Sequence, residues 1–249
     1  MLEIRNLNKN FDGVQAVQDF TLSLQSGKIT SLIGPNGAGK TTVFNIVTGF
    51  IYPNSGTVTF DNASLRNLPP WKIAQLSISR TFQDLRLFKR LTVLENVLLG
   101  RKHQSGERFL NALLNFSTES PEYKDHLAKA ISLLEFVGLM EHRSQLTENL
   151  SYGQQKLLTI ACCLAAEPEM LLLDEPVSGV QPAMVDKIAE ILQQLVKKRR
   201  KTIFLIEHDM EFVLRISDLV VVMDEGKKIT EGNPSVIRSQ PEILEAYLS

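Results

Sequence analysis

Cysteine is nearly absent: two residues in 249, Cys162 and Cys163, and they are neighbours inside a helical pattern. Adjacent thiols cannot staple distant segments, so a disulfide framework is excluded and buried packing is expected for both. An excess of one charge is also lacking. Lys and Arg number 27 against 28 Asp and Glu, a net charge of −1. Bulk charge therefore makes no case for nucleic acid or acidic lipid as a partner. The one basic run, Lys197-Lys198-Arg199-Arg200-Lys201, follows an amphipathic stretch and reads as the complement to a helix's negative end. Long apolar runs are missing too. None approaches the roughly 18 residues that a membrane helix needs; the longest, such as 157–166, are core-sized. The first residues, Met1-Leu2-Glu3-Ile4-Arg5, show no signal-peptide pattern, so a soluble, cytoplasmic chain is expected. The four histidines form no metal-ligand cluster, and there is no internal repeat or low-complexity tract.

What is present begins at Gly34-Pro35-Asn36-Gly37-Ala38-Gly39-Lys40-Thr41, which fits G-x-x-x-x-G-K-[ST] at every fixed position. Glycines allow the backbone to turn where side chains would strike phosphate oxygens. Successive N–H groups, those of Asn36, Gly37, Ala38 and Gly39 among them, can then form an anion-binding nest. Lys40 is expected to place its ammonium on the β- and γ-phosphates, and Thr41 to offer a hydroxyl to Mg²⁺, a hard ion that favours oxygen. The apolar run 29–33 ahead of the loop is strand-like, and 40–48 is helix-compatible with Gly49 as a stop. The positive end of that helix would face the phosphates.

A second element lies at 170–175, where Met170-Leu171-Leu172-Leu173 ends in Asp174-Glu175. Adjacent carboxylates at the end of a buried strand are expensive unless they serve a charge or a reaction. Asp174 can hold Mg²⁺, and Glu175 can orient and deprotonate an attacking water.

Strand patterns at 2–7, 20–24, 29–33 and 57–60 give way near residue 85 to helical spacing, as at Leu127, Ile131, Leu134 and Val137. The stretch 103–122 is polar and irregular. Strands return at 170–173, 202–206 and 219–223, with a helix starting at Pro182 between the first two, and 234–248 suggests two short helices. The expected architecture is α/β: a P-loop core with a mainly parallel sheet, an N-terminal antiparallel β subdomain and an inserted α-helical subdomain. The expected core spans 1–84 and 166–249, and the helical subdomain 85–165.

That subdomain holds Leu150-Ser151-Tyr152-Gly153-Gln154-Gln155. Ser151 and Gln154 form an S-x-x-Q capping box at a helix start, locally no more than a helix N-terminus, yet also a second anion-facing surface in one chain. The order of these motifs resembles the ATP-binding subunit of an ABC transporter, over nearly the whole chain. Leu150 to Gln155 is similar to that family's signature. The resemblance puts Gln83 at a Mg²⁺-sensing, subunit-coupling position, His208 at the switch histidine and Phe11 at the aromatic that stacks on adenine. Val17 and Thr42 join the nucleotide contacts it implies, as do Ser151, Gly153 and Gln154 from a partner subunit. It implies ATP and Mg²⁺ as ligands, and two ATPase subunits packed head to tail, either sister chains or copies of this one. It also implies transmembrane permease subunits, an extracytoplasmic solute-binding protein indirectly, and a place on the cytoplasmic face of the membrane.

The run Arg80-Thr81-Phe82-Gln83, the pair Leu87-Phe88, Ile206-Glu207-His208-Asp209-Met210 and Glu245-Ala246-Tyr247-Leu248 resemble the larger ATPase subunit of branched-chain amino acid importers. Tyr152 replaces the first signature glycine, as in that subfamily, and Gln181 stands where Asp or Asn is common. Other readings are an ATPase of a urea importer or lipid exporter, a non-transport ABC ATPase, a P-loop kinase and a structural nucleotide-binding module. Co-purification with membrane proteins would separate transport from a DNA-repair or translation role. ATP-dependent dimerisation would separate it from a kinase.

Overall fold

The structure is a computed structural model, and it describes residues 1–101 and 121–240. Most of the irregular stretch expected at 103–122, the second expected C-terminal helix and the Glu245 to Leu248 ending lie outside the described residues. The chain divides into two compact units. The first comprises residues 1–83, 169–178 and the described residues from 182 on. The second comprises 84–168 with 179–181.

The first unit holds two sheets. One is antiparallel, built from β1 (Leu2–Phe11), β2 (Val14–Ser23), β4 (Ser55–Phe60) and β5 (Ala63–Ser64) in the order β2-β1-β4-β5. The other has six strands. Its members are β3 (Ile29–Ile33), β6 (Ile78–Arg80), β7 (Met170–Asp174), β8 (Thr202–Ile206), β9 (Leu219–Asp224) and β10 (Lys227–Gly232), in the order β10-β9-β3-β8-β7-β6. All neighbours in it run parallel except β10, which pairs antiparallel with β9. Strands β3, β7 and β8 are buried at every residue, as expected of a parallel sheet covered on both faces, and this explains their unbroken apolar runs. Helices α1 (Lys40–Val47), α2 (Pro70–Gln75), α6 (Pro182–Arg199), α7 (Met210–Ile216) and α8 (Pro234–Arg238) complete the unit. Phe20, Phe44, Leu32, Val47, Phe204 and Met223 belong to one buried core that draws on both sheets.

Strands β1 and β2 are each ten residues long, longer than the alternation at 2–7 and 20–24 suggests. Their register shifts at several points between Ile4 and Asn10, and Asn6 and Asp19 take φ of 48° and 45°. Such bulges break the two-residue period by which a strand is read. Strand β10 alternates between exposed and half-buried residues at the sheet edge and carries Lys227, Lys228 and Glu231, so it offers no apolar run.

The second unit is helical among its described residues, with α3 (Val93–Leu99), α4 (Pro121–Val137) and α5 (Tyr152–Ala165) and short 3-10 turns at Met140–His142 and Thr147–Asn149. Thr92 and Glu95 form a capping box on α3. Asn96 is buried and donates to Phe88 O, Thr92 O and Thr147 Oγ1 while accepting from Phe88 N, which ties the loop before α3 to the turn before α5.

Candidate phosphate-binding and hydrolysis site

The G-x-x-x-x-G-K-T loop joins β3 to α1, as strand-loop-helix geometry requires of a phosphate loop. Gly39 is the α1 N-cap at φ 98°, and a Cβ there would stand 2.2 Å from Ala16 O. Gly37, at φ 86°, meets nothing within 4 Å, which leaves open space over the loop. The first turn of α1 has no side-chain cap and no acidic residue of its own. Asn36, Gly37 and Thr41 are exposed, and Thr42 is half-buried. The Ala38 amide donates to Pro35 O at 3.2 Å, a turn within the loop.

Lys40 is 6% exposed, and its Nζ donates to Gly34 O at 2.7 Å and Pro35 O at 2.9 Å. Burial lowers its pKa from the usual 10.5, against the opposing pull of Glu175 and Asp174. The cation is therefore under-solvated and within the field of two carboxylates, a state that anionic oxygens would relieve.

Asp174 ends β7. Its Oδ2 accepts from Arg80 at 3.0 Å in an ion pair whose side chains are 5% and 7% exposed. Arg80 also donates to Asn45 Oδ1 at 2.7 Å and Thr48 Oγ1 at 3.0 Å, and its guanidinium lies 5.0 to 6.0 Å from the rings of Phe44, Phe50 and Phe82. The Asp174 amide donates to Thr81 Oγ1 at 3.0 Å. A carboxylate beside the phosphate loop is thus held by a residue that the motif reading passed over. The available signal was a cation closing the short alternating stretch Leu76-Ser77-Ile78-Ser79 before Thr81.

Glu175 has φ of 49° and its amide donates to Ile206 O at 2.9 Å. Left-handed backbone at a non-glycine residue costs on the order of 1–3 kcal/mol and persists only where neighbours over-determine it. Both carboxylate oxygens have partners: Gln83 Nε2 reaches Oε2 at 3.4 Å, and His208 Nε2 lies 3.0 Å from Oε1. Glu175, Gln83 and His208 come from separate segments of the chain and meet at the carboxyl ends of β6, β7 and β8. Behind them sits Glu207, 2% exposed, accepting from Val177 N at 2.8 Å and His208 N at 3.0 Å. Burial pushes its carboxyl above the usual 4.5, partly offset by the amides of Val177, His208 and Asp209. Sequence reading gave Glu207 no role.

Phe11 ends β1 and is 40% exposed, and Lys9 Nζ lies over its ring, 4.8 Å from the centroid. Val17, which the resemblance places among the nucleotide contacts, has its side chain fully buried in the core, beside the shifted register of β1 and β2. Ala16, one residue earlier, brings its carbonyl to the phosphate loop.

In the second unit, Ser151 Oγ accepts from Gln154 N at 3.3 Å, and Gln154 Oε1 accepts from Ser151 N at 2.8 Å, so the capping box is closed at the start of α5. Gln154 Nε2 lies 3.0 Å from His142 Nε2. Ser151 is exposed and Gly153 half-buried; Tyr152, 46% exposed, faces Gly179. Gln181 is exposed.

A glycine-rich cradle at the carboxyl edge of a parallel sheet, with acidic and polar side chains beside it, defines an ATP-binding P-loop ATPase. Residues 17–178 match the ABC transporter family, and the chain belongs to it. It is 41% identical over 248 residues to the high-affinity branched-chain amino acid transport ATP-binding protein LivG of Salmonella typhimurium, covering 100% of this chain and 97% of that protein. The Pseudomonas aeruginosa protein BraF, of the same description, is 38% identical over the same span. Among solved structures, the ADP conformation of an ATP-binding cassette of an ABC transporter superimposes with a TM-score of 0.87 at 34% identity, covering 100% of this chain and 98% of that one. A dimeric cassette in a post-hydrolysis state bound to ADP and Pi gives 0.77 at 25% identity, covering 94% and 99%.

Proposed function

We propose that this chain is the ATP-hydrolysing subunit of an importer for branched-chain or other neutral amino acids. The observation that carries hydrolysis is Glu175, its two oxygens bracketed by Gln83 and His208, one residue beyond Asp174 and near the Lys40 loop. The solute rests on full-length similarity to LivG and BraF. Cassettes do not touch the transported molecule, so the closely similar urea and lipid systems remain the alternative, as does a non-transport ABC ATPase.

ATP would lie with its phosphates over the amides of Asn36 to Thr42 and its base against Phe11. Lys40 would exchange its two carbonyl partners for β- and γ-phosphate oxygens. Glu175 would accept a proton from a water aligned with the γ-phosphorus, and His208 and Gln83 would hold that carboxylate in place. Thr41 and Asp174 fit Mg²⁺ by donor chemistry: a hydroxyl and one carboxylate whose other oxygen is fixed by Arg80, with Gln83 as a further oxygen. No group of three or more His, Cys, Asp or Glu able to hold a metal occurs among the described residues. That suits an ion arriving with the nucleotide and keeping phosphate and water ligands. Bound there, Mg²⁺ would neutralise charge building on the transferred phosphoryl group.

Ser151, Gly153 and Gln154 would serve the nucleotide of a second ATPase subunit, a sister chain or a copy, packed head to tail. The residues 1–84 with 166–249 would act as the nucleotide core and 85–165 as the signature-bearing arm. Permease subunits would hold the pair at the cytoplasmic face of the membrane and an external binding protein would deliver solute. No described helix is long and apolar enough to cross a membrane itself.

The test is Glu175→Gln. ATP binding should stay near wild type while turnover falls at least about 10²-fold, the scale of a lost general base. Turnover within a few-fold of wild type would refute the assignment.

A further inference from the structure

We propose that Glu207 is a positioning residue that hangs both hydrolytic loops on one buried carboxylate. The proposal rests on the reading of Glu175 and His208 given above and adds a residue that the reading does not need. Glu207 follows the last residue of β8 and has almost no access to solvent. Its Oε1 accepts from the Val177 amide, two residues beyond Glu175, and its Oε2 from the amide of His208. The adjacent Ile206 carbonyl accepts from the Glu175 amide.

Ile206, the last residue of β8, and Glu207 just after it therefore grip the 175–177 turn at both sides of Pro176, which has no N–H of its own. Between these grips Glu175 is held in left-handed backbone, and its carboxylate meets His208 Nε2 at 3.0 Å. A buried carboxylate is a poor choice for fold stability alone, since an apolar residue would suit the interior better. It is a good choice where two loops must present their amides to one rigid acceptor with two oxygens.

Glu207→Gln keeps shape but puts an NH₂ against an amide donor, and Glu207→Ala removes the acceptor. In the full chain, both should lower kcat by about 10- to 100-fold, the range expected when reacting groups are misplaced by an ångström or so. ATP affinity should stay within about twofold, because the phosphate loop is untouched. In a Glu175→Gln background, where the carboxylate that both grips serve is gone, the same substitutions should have little further effect on kcat. In the wild type, the Val177 and His208 amides should be protected from hydrogen exchange, a measurement independent of whether any variant folds.

Losses that multiply across the two backgrounds, an unchanged kcat in a folded variant, or rapid exchange of those two amides in the wild type would each overturn the proposal. A fall in folded yield with wild-type turnover per folded molecule would do so as well. His208→Ala with wild-type turnover would instead sink the underlying hydrolytic reading, and this proposal with it.

Discussion

Lys40 shows how a single side chain can serve function against stability. Its ammonium is buried, and burial lowers its pKa from 10.5. The folded state therefore binds fewer protons than the unfolded one between those two values, and its contribution to stability rises with pH there. At neutral pH the charged lysine is a liability in the nucleotide-free chain. Lys40→Met should raise resistance to unfolding by about 1 kcal/mol, a typical gain when a strained functional group is removed. It should also abolish most ATP binding. The stability gain over wild type should shrink as pH approaches 10.5, as urea titrations across pH would show. Lys40 could be read from its motif because the loop's chemistry is local. The burial of Val17 was not legible, because its facing depends on register shifts in β1 and β2 that no local pattern announces. Arg80 and Glu207 were silent for a related reason: their partners are 94 and 30 residues away, and only folding brings them together.

Elements with strong local signals were legible. The fully buried strands β3, β7 and β8 follow from their apolar runs, and α5 from the Ser151 and Gln154 box that the structure closes. Short pieces such as β6, α2 and β10 were not, because three to six residues carry too little periodicity to separate strand, helix and loop. Packing between helices depends on similarly small details. A Cβ at Gly100, which caps α3, would stand 2.5 Å from Cys162 O and 3.0 Å from Ala165 Cβ, both on α5. Gly100→Ala is allowed by its backbone angles, so the clash alone should act, costing about 1–3 kcal/mol by overpacking. A lower denaturation midpoint for the helical unit, followed by a probe there, would show it; an unchanged midpoint would mean the helices part freely.

At the scale of the molecule, each half of the proposed reaction surface lies in a different unit, with Lys40, Asp174 and Glu175 in one and Ser151 in the other. If nucleotide is clasped between subunits, Glu175→Gln with ATP and Mg²⁺ should sediment as a pair, alone or with a sister ATPase. Adding Ser151→Arg should abolish pairing and leave ATP binding by the single subunit intact. Pairing that survives Ser151→Arg would remove the signature helix from the interface.

The strand that feeds the phosphate loop has a further consequence. β3 is made early in synthesis, yet its neighbours in the sheet, β8 and β9, begin at residues 202 and 219. A ribosome must therefore release most of the polypeptide before the loop has flanks to lean on, and closing contacts so far apart is slow. Until then the nascent chain carries the glycine-rich motif without a nucleotide pocket. Premature termination anywhere before β9 should yield a fragment that cannot hold ATP, whatever its sequence advertises.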